Sequence, residues 1–452
     1  MSKALGLVAL ILVTAAAGAA QAPSNQSGPA SPPYDLLLKG GHVIDPANLL
    51  DDRRDVAVKG GKIAAVDRDI PASGARQVVD VTGLYVTPGL IDIHVHVGHG
   101  GAALDWFEPD SPAGIRPLGI LADTVLSSGV TTIVDAGSSG ANTFLREKHE
   151  AIDHSTVRVL AFLNIVAAGM NSGREQDVSE MDPAACADTI NRYRDVIVGV
   201  KTAHYWTQQP WDAAHPPWAA VDRAEECGKL AGVPVMFDFW PRAPERSYAE
   251  LILKKMRPGD IHTHVFAQQF PIIEANGEVN PILFEARRRG VIFDVGHGAA
   301  SFWFRNAAPA VKQGFVPNSI STDLHTGNIN GAVVSMITTM SKFLAMGVPL
   351  EDVIRRATVN PAAEIHRTEL GTLTPGRDAD IAVIELEHGN FAYTDCGGAK
   401  LTADVKLTNR VTVRAGRIVY DPTGLGAPEW QHAPKRYFTV PKLGSDPPAV
   451  VR

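Results

Sequence analysis

Two histidines one residue apart, His94 and His96, are the first residues whose types and spacing suggest chemistry. They close the run Val86-Thr87-Pro88-Gly89-Leu90-Ile91-Asp92-Ile93-His94-Val95-His96. Side chains alternate along a strand, so both imidazoles share one face while Ile93 and Val95 share the other. Two neutral imidazoles side by side are half a metal site. The plain alternative is a polar strand end with two solvated rings. The apolar run and the Pro88-Gly89 turn argue against it, because they bury the strand and leave the imidazoles at its carboxyl end. Further along, Lys201 follows the apolar Val198-Gly199-Val200, where an ammonium is unfavourable without a compensating charge, although a lysine there can also snorkel to a rim or pair with an aspartate. Asp238 ends Val233-Pro234-Val235-Met236-Phe237, where a carboxylate either binds a divalent ion or only hydrogen-bonds. His262 and His264 alternate onto one face of Asp260 to Phe266, and Asp323 follows Ile320-Ser321-Thr322.

These residues need a scaffold that brings distant positions together. Between residues 88 and 370 short apolar strands alternate with longer amphipathic stretches, the rhythm of a parallel (β/α)8 TIM-like barrel. Strands are expected at Leu90 to Val97, Thr131 to Asp135, Val157 to Asn164, Ile197 to Thr202, Val233 to Asp238, Asp260 to Phe266, Val291 to His297 and Ser319 to His325. Every candidate falls at or near a strand's carboxyl end, where barrel enzymes place their chemistry. Residues 34–87 instead read as short alternating strands punctuated by Gly40-Gly41 and Gly60-Gly61, and a similar pattern returns over 371–437. The two segments are expected to share one small composite β-sandwich.

Composition narrows the function classes. A chain of 452 residues, 45% hydrophobic, is long enough for a large barrel and a smaller domain, and a net charge of −7 with no basic tract offers no surface for nucleic acid. The three cysteines, Cys186, Cys227 and Cys396, have no metal-binding or disulfide-framework spacing and read as buried or free thiols. Residues 1–22 carry Lys3, the apolar Ala4 to Ala17 and a small-residue end, which reads as a signal peptide for export to the periplasm or outside the cell. The apolar core is shorter than the ~20 residues of a membrane span, so no membrane association is expected after cleavage, a retained anchor helix being the rival reading. Residues 23–33 read as a disordered leader and 438–452 as a tail.

The Pro-Gly-apolar-Asp-x-His-x-His run resembles the first barrel strand of the amidohydrolase superfamily, and the likeness extends over roughly Tyr34 to Trp430. Strand seven, Phe293-Asp294-Val295-Gly296-His297-Gly298, resembles the deacetylase-like metallohydrolase branch. The resemblance implies a ligand set of His94, His96, Lys201, Asp238, His264 and Asp323 around two divalent ions, zinc the first choice. Lys201 would carry a carboxylate from carbon dioxide, and Thr263-His264 matches the family's strand-six ligand. Asp323 would be both ligand and proton shuttle. Asp238 departs from the pattern, since most relatives have histidine there.

His297 would then be a substrate or supporting group, and His204, Tyr205, His325 and Arg174 are candidates to grip an acidic group, each with a plain solvated-loop explanation. Dihydroorotase-type relatives place an arginine where this chain has Gly98, which argues against dihydroorotate. The expected activity is hydrolysis of an amide, such as an N-acyl amino acid or a similar small acyl compound, by water activated at the metal centre. The alternatives are a cyclic amide or ester on the same centre, or an exported binding protein without activity. The sequence leaves the oligomeric state open, a homo-oligomer included.

Overall fold

The computed structural model describes residues 32–97, 119–170, 173–205 and 211–440. The expected signal peptide, nearly all of the leader, Gly98 and the end of the tail lie outside the described residues.

Eight strands form one mixed sheet: β1 (Tyr34–Asp45), β2 (Leu50–Lys59), β3 (Lys62–Asp67), β4 (Ala75–Asp80), β5 (Tyr85–Pro88) and, far along the chain, strands at Ile381–Thr394, Lys400–Arg414 and Arg417–Tyr420. β5 joins the early and late segments, parallel to β1 on one side and antiparallel to Ile381–Thr394 on the other. Period-two alternation lets this sheet bury both faces: Leu36 and Leu38 pack with Val56, Val58 and Val383, whereas Leu37 packs with Ala57 and Ile70.

β5 runs through Gly89 into the barrel. Its strands are β6 (Leu90–Val95), β7 (Val130–Gly140), β8 (Arg158–Asn164), β9 (Ile197–Lys201), β10 (Val235–Phe237), β11 (Ile261–His262) and β12 (Ile292–Phe293), each parallel to its sequence neighbour. All six residues of β6 are buried, as a parallel strand covered on both faces requires.

The expected eighth strand is not regular, yet residues 319–325 close the circle. Ser319 bridges Asp294 beside β12, and Leu324 bridges Val95 of β6. Side chains replace part of the ladder here. Asp92 accepts from the Thr322 backbone N–H at 3.0 Å and hydroxyl at 2.6 Å, and burial pushes its carboxyl up to about 7. Strands six and seven are likewise shorter than expected, because backbone at positive φ ends them: +61° at His264 and +45° at Gly296. Asp323 follows the same rule, at φ +51°. Two non-glycine residues in this strained region, both candidates for the chemistry, mark the barrel mouth as a place where geometry is held against local preference.

Candidate metal centre

The first cluster joins opposite ends of the barrel sequence. His94 and His96 leave β6 on one face, and Asp323 lies beside them because its backbone N–H donates to the His94 carbonyl at 2.6 Å. One ligand atom from each of the three falls within 4.8 Å of the others. The Asp323 carboxylate is 3.0 Å from His96 Nε2 and 3.5 Å from His94 Nε2. Burial would raise its pKa, but His94 and His96 pull it far below the ordinary carboxylate range. The carboxylate is further confined by Gly298, at φ +57°, where an added Cβ would approach Asp323 Oδ2 to 2.6 Å.

Hydrogen bonding fixes which nitrogen of each ring is free. Thr263 donates its hydroxyl hydrogen to Asp294 at 2.8 Å, so it can only accept from His94 Nδ1, also 2.8 Å away. Ser138 likewise donates to Asp135 at 2.7 Å and accepts from His96 Nδ1 at 3.0 Å. His264 Nδ1 donates to the Gly296 carbonyl at 2.6 Å. In each ring Nε2 is therefore the nitrogen turned toward a carboxylate; at His264 burial would lower the pKa, yet Asp238 beside Nε2 raises it above the ordinary value. His94 Nε2 is buried without a hydrogen-bond partner, and burial holds its pKa well below the ordinary value. A lone pair facing carboxylate oxygens in a dry site repels them unless a proton or a metal cation lies between, and a metal ion between them serves several such pairs at once. Imidazole and carboxylate are the donors a divalent ion of the zinc type prefers, with the supporting hydrogen bonds such ligands normally have. The residues present thus fit a divalent metal ion.

The second cluster centres on Asp238. Its Oδ2 lies 3.3 Å from Lys201 Nζ, 2.9 Å from His204 Nε2 and 3.2 Å from His264 Nε2. Burial opposes ionisation, but those three neighbours keep the carboxyl well below its usual range. Behind His204, Glu175 accepts from its backbone N–H at 3.0 Å and stands 3.3 Å from Nδ1. Burial would lower the His204 pKa, yet Glu175 and Asp238 on its two sides raise it to about 10. The two clusters meet where the His94 and His264 rings approach to 4.9 Å.

The structure therefore brings together all six residues expected as ligands. His204 also joins them, with both ring nitrogens engaged by carboxylates and neither left for substrate. His325 lies at the same mouth, its ring 6.3 Å from that of His96. His297 does not reach the rim. It is fully buried, stacks on Phe302 at 4.5 Å, and its Nε2 is 2.6 Å from Lys342 Nζ, so packing has turned it away. Arg174 is exposed and pairs with Glu180 on the surface, which keeps it out of the cluster. His262 packs against Phe270 and Tyr248, one layer below His264.

Sequence reasoning missed Glu175, Ser138, Asp294 and Thr263 as supports. Thr263 had a signal, since it directly precedes a candidate ligand. Glu175 sits in a single 3-10 turn, Arg174–Gln176, where no periodic signal marks it.

Comparison with known proteins gives a consistent picture. The amidohydrolase family model matches residues 85–222 and 304–419. A protein of Brucella anthropi named deacetylase is 31% identical over 368 residues, 80% of this chain and 85% of its own length. The crystal structure of an adenine deaminase superposes with a TM-score of 0.74 at 29% identity, covering 86% of this chain and all of the other. A crystal structure of a dihydroorotase gives 0.69 at 28% identity over 85% of this chain.

Proposed function

Since the chain belongs to the amidohydrolase family, we propose that it is a metal-dependent hydrolase that cleaves the amide of a small N-acyl compound, an N-acyl amino acid being the leading class. The observation that carries this reading is the convergence of three imidazole Nε2 atoms on the Asp323 and Asp238 carboxylates, each ring held through its Nδ1 by a neighbouring oxygen. The name deacetylase carried by these relatives favours removal of an acyl group over the reactions that the names adenine deaminase and dihydroorotase denote.

His94, His96 and Asp323 would hold one divalent ion, and His264, Asp238 and Lys201 a second, with Lys201 carboxylated by carbon dioxide. Carboxylation turns Lys201 from a cation into an anion, which suits a place between two metal ions. Ions bound here supply Lewis acidity toward the scissile carbonyl and bring a water near its neutral-pH deprotonation. Asp323 accepts the proton of the attacking water, which its low pKa and its position between two imidazoles allow it to do as a carboxylate. The same carboxylic acid then donates that proton to the departing amine, which leaves as the carbon–nitrogen bond breaks. Thr263 and Ser138 keep the imidazoles in one tautomer and one orientation throughout. Export belongs to the same proposal and rests on the sequence of residues 1–22 alone: Lys3, the apolar run Ala4 to Ala17 and the small residues that follow.

The test is amine release by metal-replete protein from a panel of N-acyl amino acids, cyclic amides and esters. Turnover of N-acyl amino acids that is lost on chelation and restored by metal supports the reading. Turnover confined to cyclic amides or esters, or none anywhere, overturns it.

A further inference from the structure

Beside the metal centre two buried donors have nothing to donate to. Arg246 ends a tight turn after β10, closed by paired backbone bonds with Arg242 at 2.8 and 2.9 Å. Its side chain is fully buried, and among the described residues it forms no ion pair with a carboxylate. One guanidinium nitrogen, Nη1, donates to the Tyr205 carbonyl, and the guanidinium carbon lies 4.3 Å from the centre of the Phe239 ring. Nε has no hydrogen-bond partner. Nor does the buried hydroxyl of Tyr205, on the loop after β9.

The two side chains interact electrostatically, and both keep their protons at neutral pH: burial brings Arg246 down only to about 9 and pushes Tyr205 up to about 12. Their positions in the chain tie them to the site. Tyr205 follows His204, and Phe239, which Arg246 covers, follows Asp238. Both come from loops at the carboxyl ends of barrel strands, the face that holds the chemistry.

Leaving a buried guanidinium N–H and a phenol O–H unsatisfied is costly, and the Asp238 charge attracts Arg246 without a hydrogen bond or ion pair between them. A planar anion with two acceptor oxygens is the complement of that pair, and a guanidinium in a dry setting binds a carboxylate through short charge-assisted bonds. Asp238 attracts Arg246 electrostatically but forms no ion pair with it among the described residues, its Oδ2 being taken by Lys201, His204 and His264. We propose that Arg246 and Tyr205 form the subsite for the free carboxylate of an N-acyl amino acid substrate. This deepens the amide-hydrolase reading and rests on it for the acyl half of the ligand.

Calorimetric titration of the metal-replete protein with N-acetyl amino acids and the matching carboxamides tests it without requiring turnover. Wild type is expected to bind the carboxylates at least about tenfold tighter, the scale of one charge-assisted contact. Arg246→Gln should bring the ratio near one, and Tyr205→Phe, which keeps the ring and its packing, should cut it severalfold. A wild type that binds both forms equally overturns the proposal, as does a ratio unchanged by the substitutions; where Arg246→Gln does not fold, Tyr205→Phe decides. Carboxylate preference without amine release from any compound leaves the subsite standing and removes the hydrolase reading.

Discussion

Thr263 stands 2.8 Å from Nδ1 of His94 and can only accept there, since its single hydroxyl hydrogen goes to Asp294. A residue on strand six thereby sets which nitrogen of a strand-one imidazole faces the metal position. Thr263→Val keeps the volume but removes both bonds. The expected result is a loss of metal affinity of roughly 10- to 100-fold, the usual scale for such supports. Competition with a chelator of known affinity measures it, and unchanged affinity would show that His94 needs no such fixing.

Glu175 reaches the centre through one intermediary. It holds His204, and His204 holds Asp238 at 2.9 Å. Glu175→Gln keeps the shape but removes one of the two anions flanking His204. Metal content should fall from about two ions per chain toward one, with His94, His96 and Asp323 still loaded. Two ions retained at wild-type affinity would make Glu175 a loop residue with no part in the centre.

Glu364 gives a prediction about stability. Burial raises its pKa from the ordinary 4.5 to about 8, and one carboxyl oxygen has no hydrogen-bond partner. Between those values the folded chain keeps a proton that the unfolded chain has released, so stability falls as pH rises from about 4.5 to about 8 and levels off above that. Glu364→Gln lacks this slope. Denaturant unfolding at pH 5 and pH 8.5 should show the variant gaining on wild type as pH rises, by at most about 5 kcal/mol. Parallel behaviour at both pH values would mean that Glu364 ionises normally in the fold.

How much was legible in the sequence depended on whether the signal was periodic. Strand alternation put His94 and His96 on one face, and the apolar runs before Lys201, Asp238 and Asp323 placed their carboxyl-terminal ends at one mouth of the barrel. Positive φ at His264 and Asp323 was invisible to that reasoning, because it arises from contacts between strands far apart in sequence. The same holds for the polar residues behind the ligands. Glu175 lies in a one-turn 3-10 helix and Arg246 on a tight turn, where a charged residue looks like ordinary surface until packing buries it. His204 and Arg174 looked alike as loop polar groups, and only the fold separates them: one is enclosed by two carboxylates, the other faces solvent beside Glu180.

The central claim is that six side chains from five barrel strands converge where metal ions would bind. Element-specific anomalous diffraction from crystals of metal-replete protein tests it most directly. The account predicts a strong peak within roughly 2.0 to 2.2 Å of His94 Nε2, His96 Nε2 and an Asp323 oxygen, the usual bond lengths for such ligands, and a second peak near His264 and Asp238. Metal bound elsewhere, with the two first-strand imidazoles left uncoordinated, would contradict it.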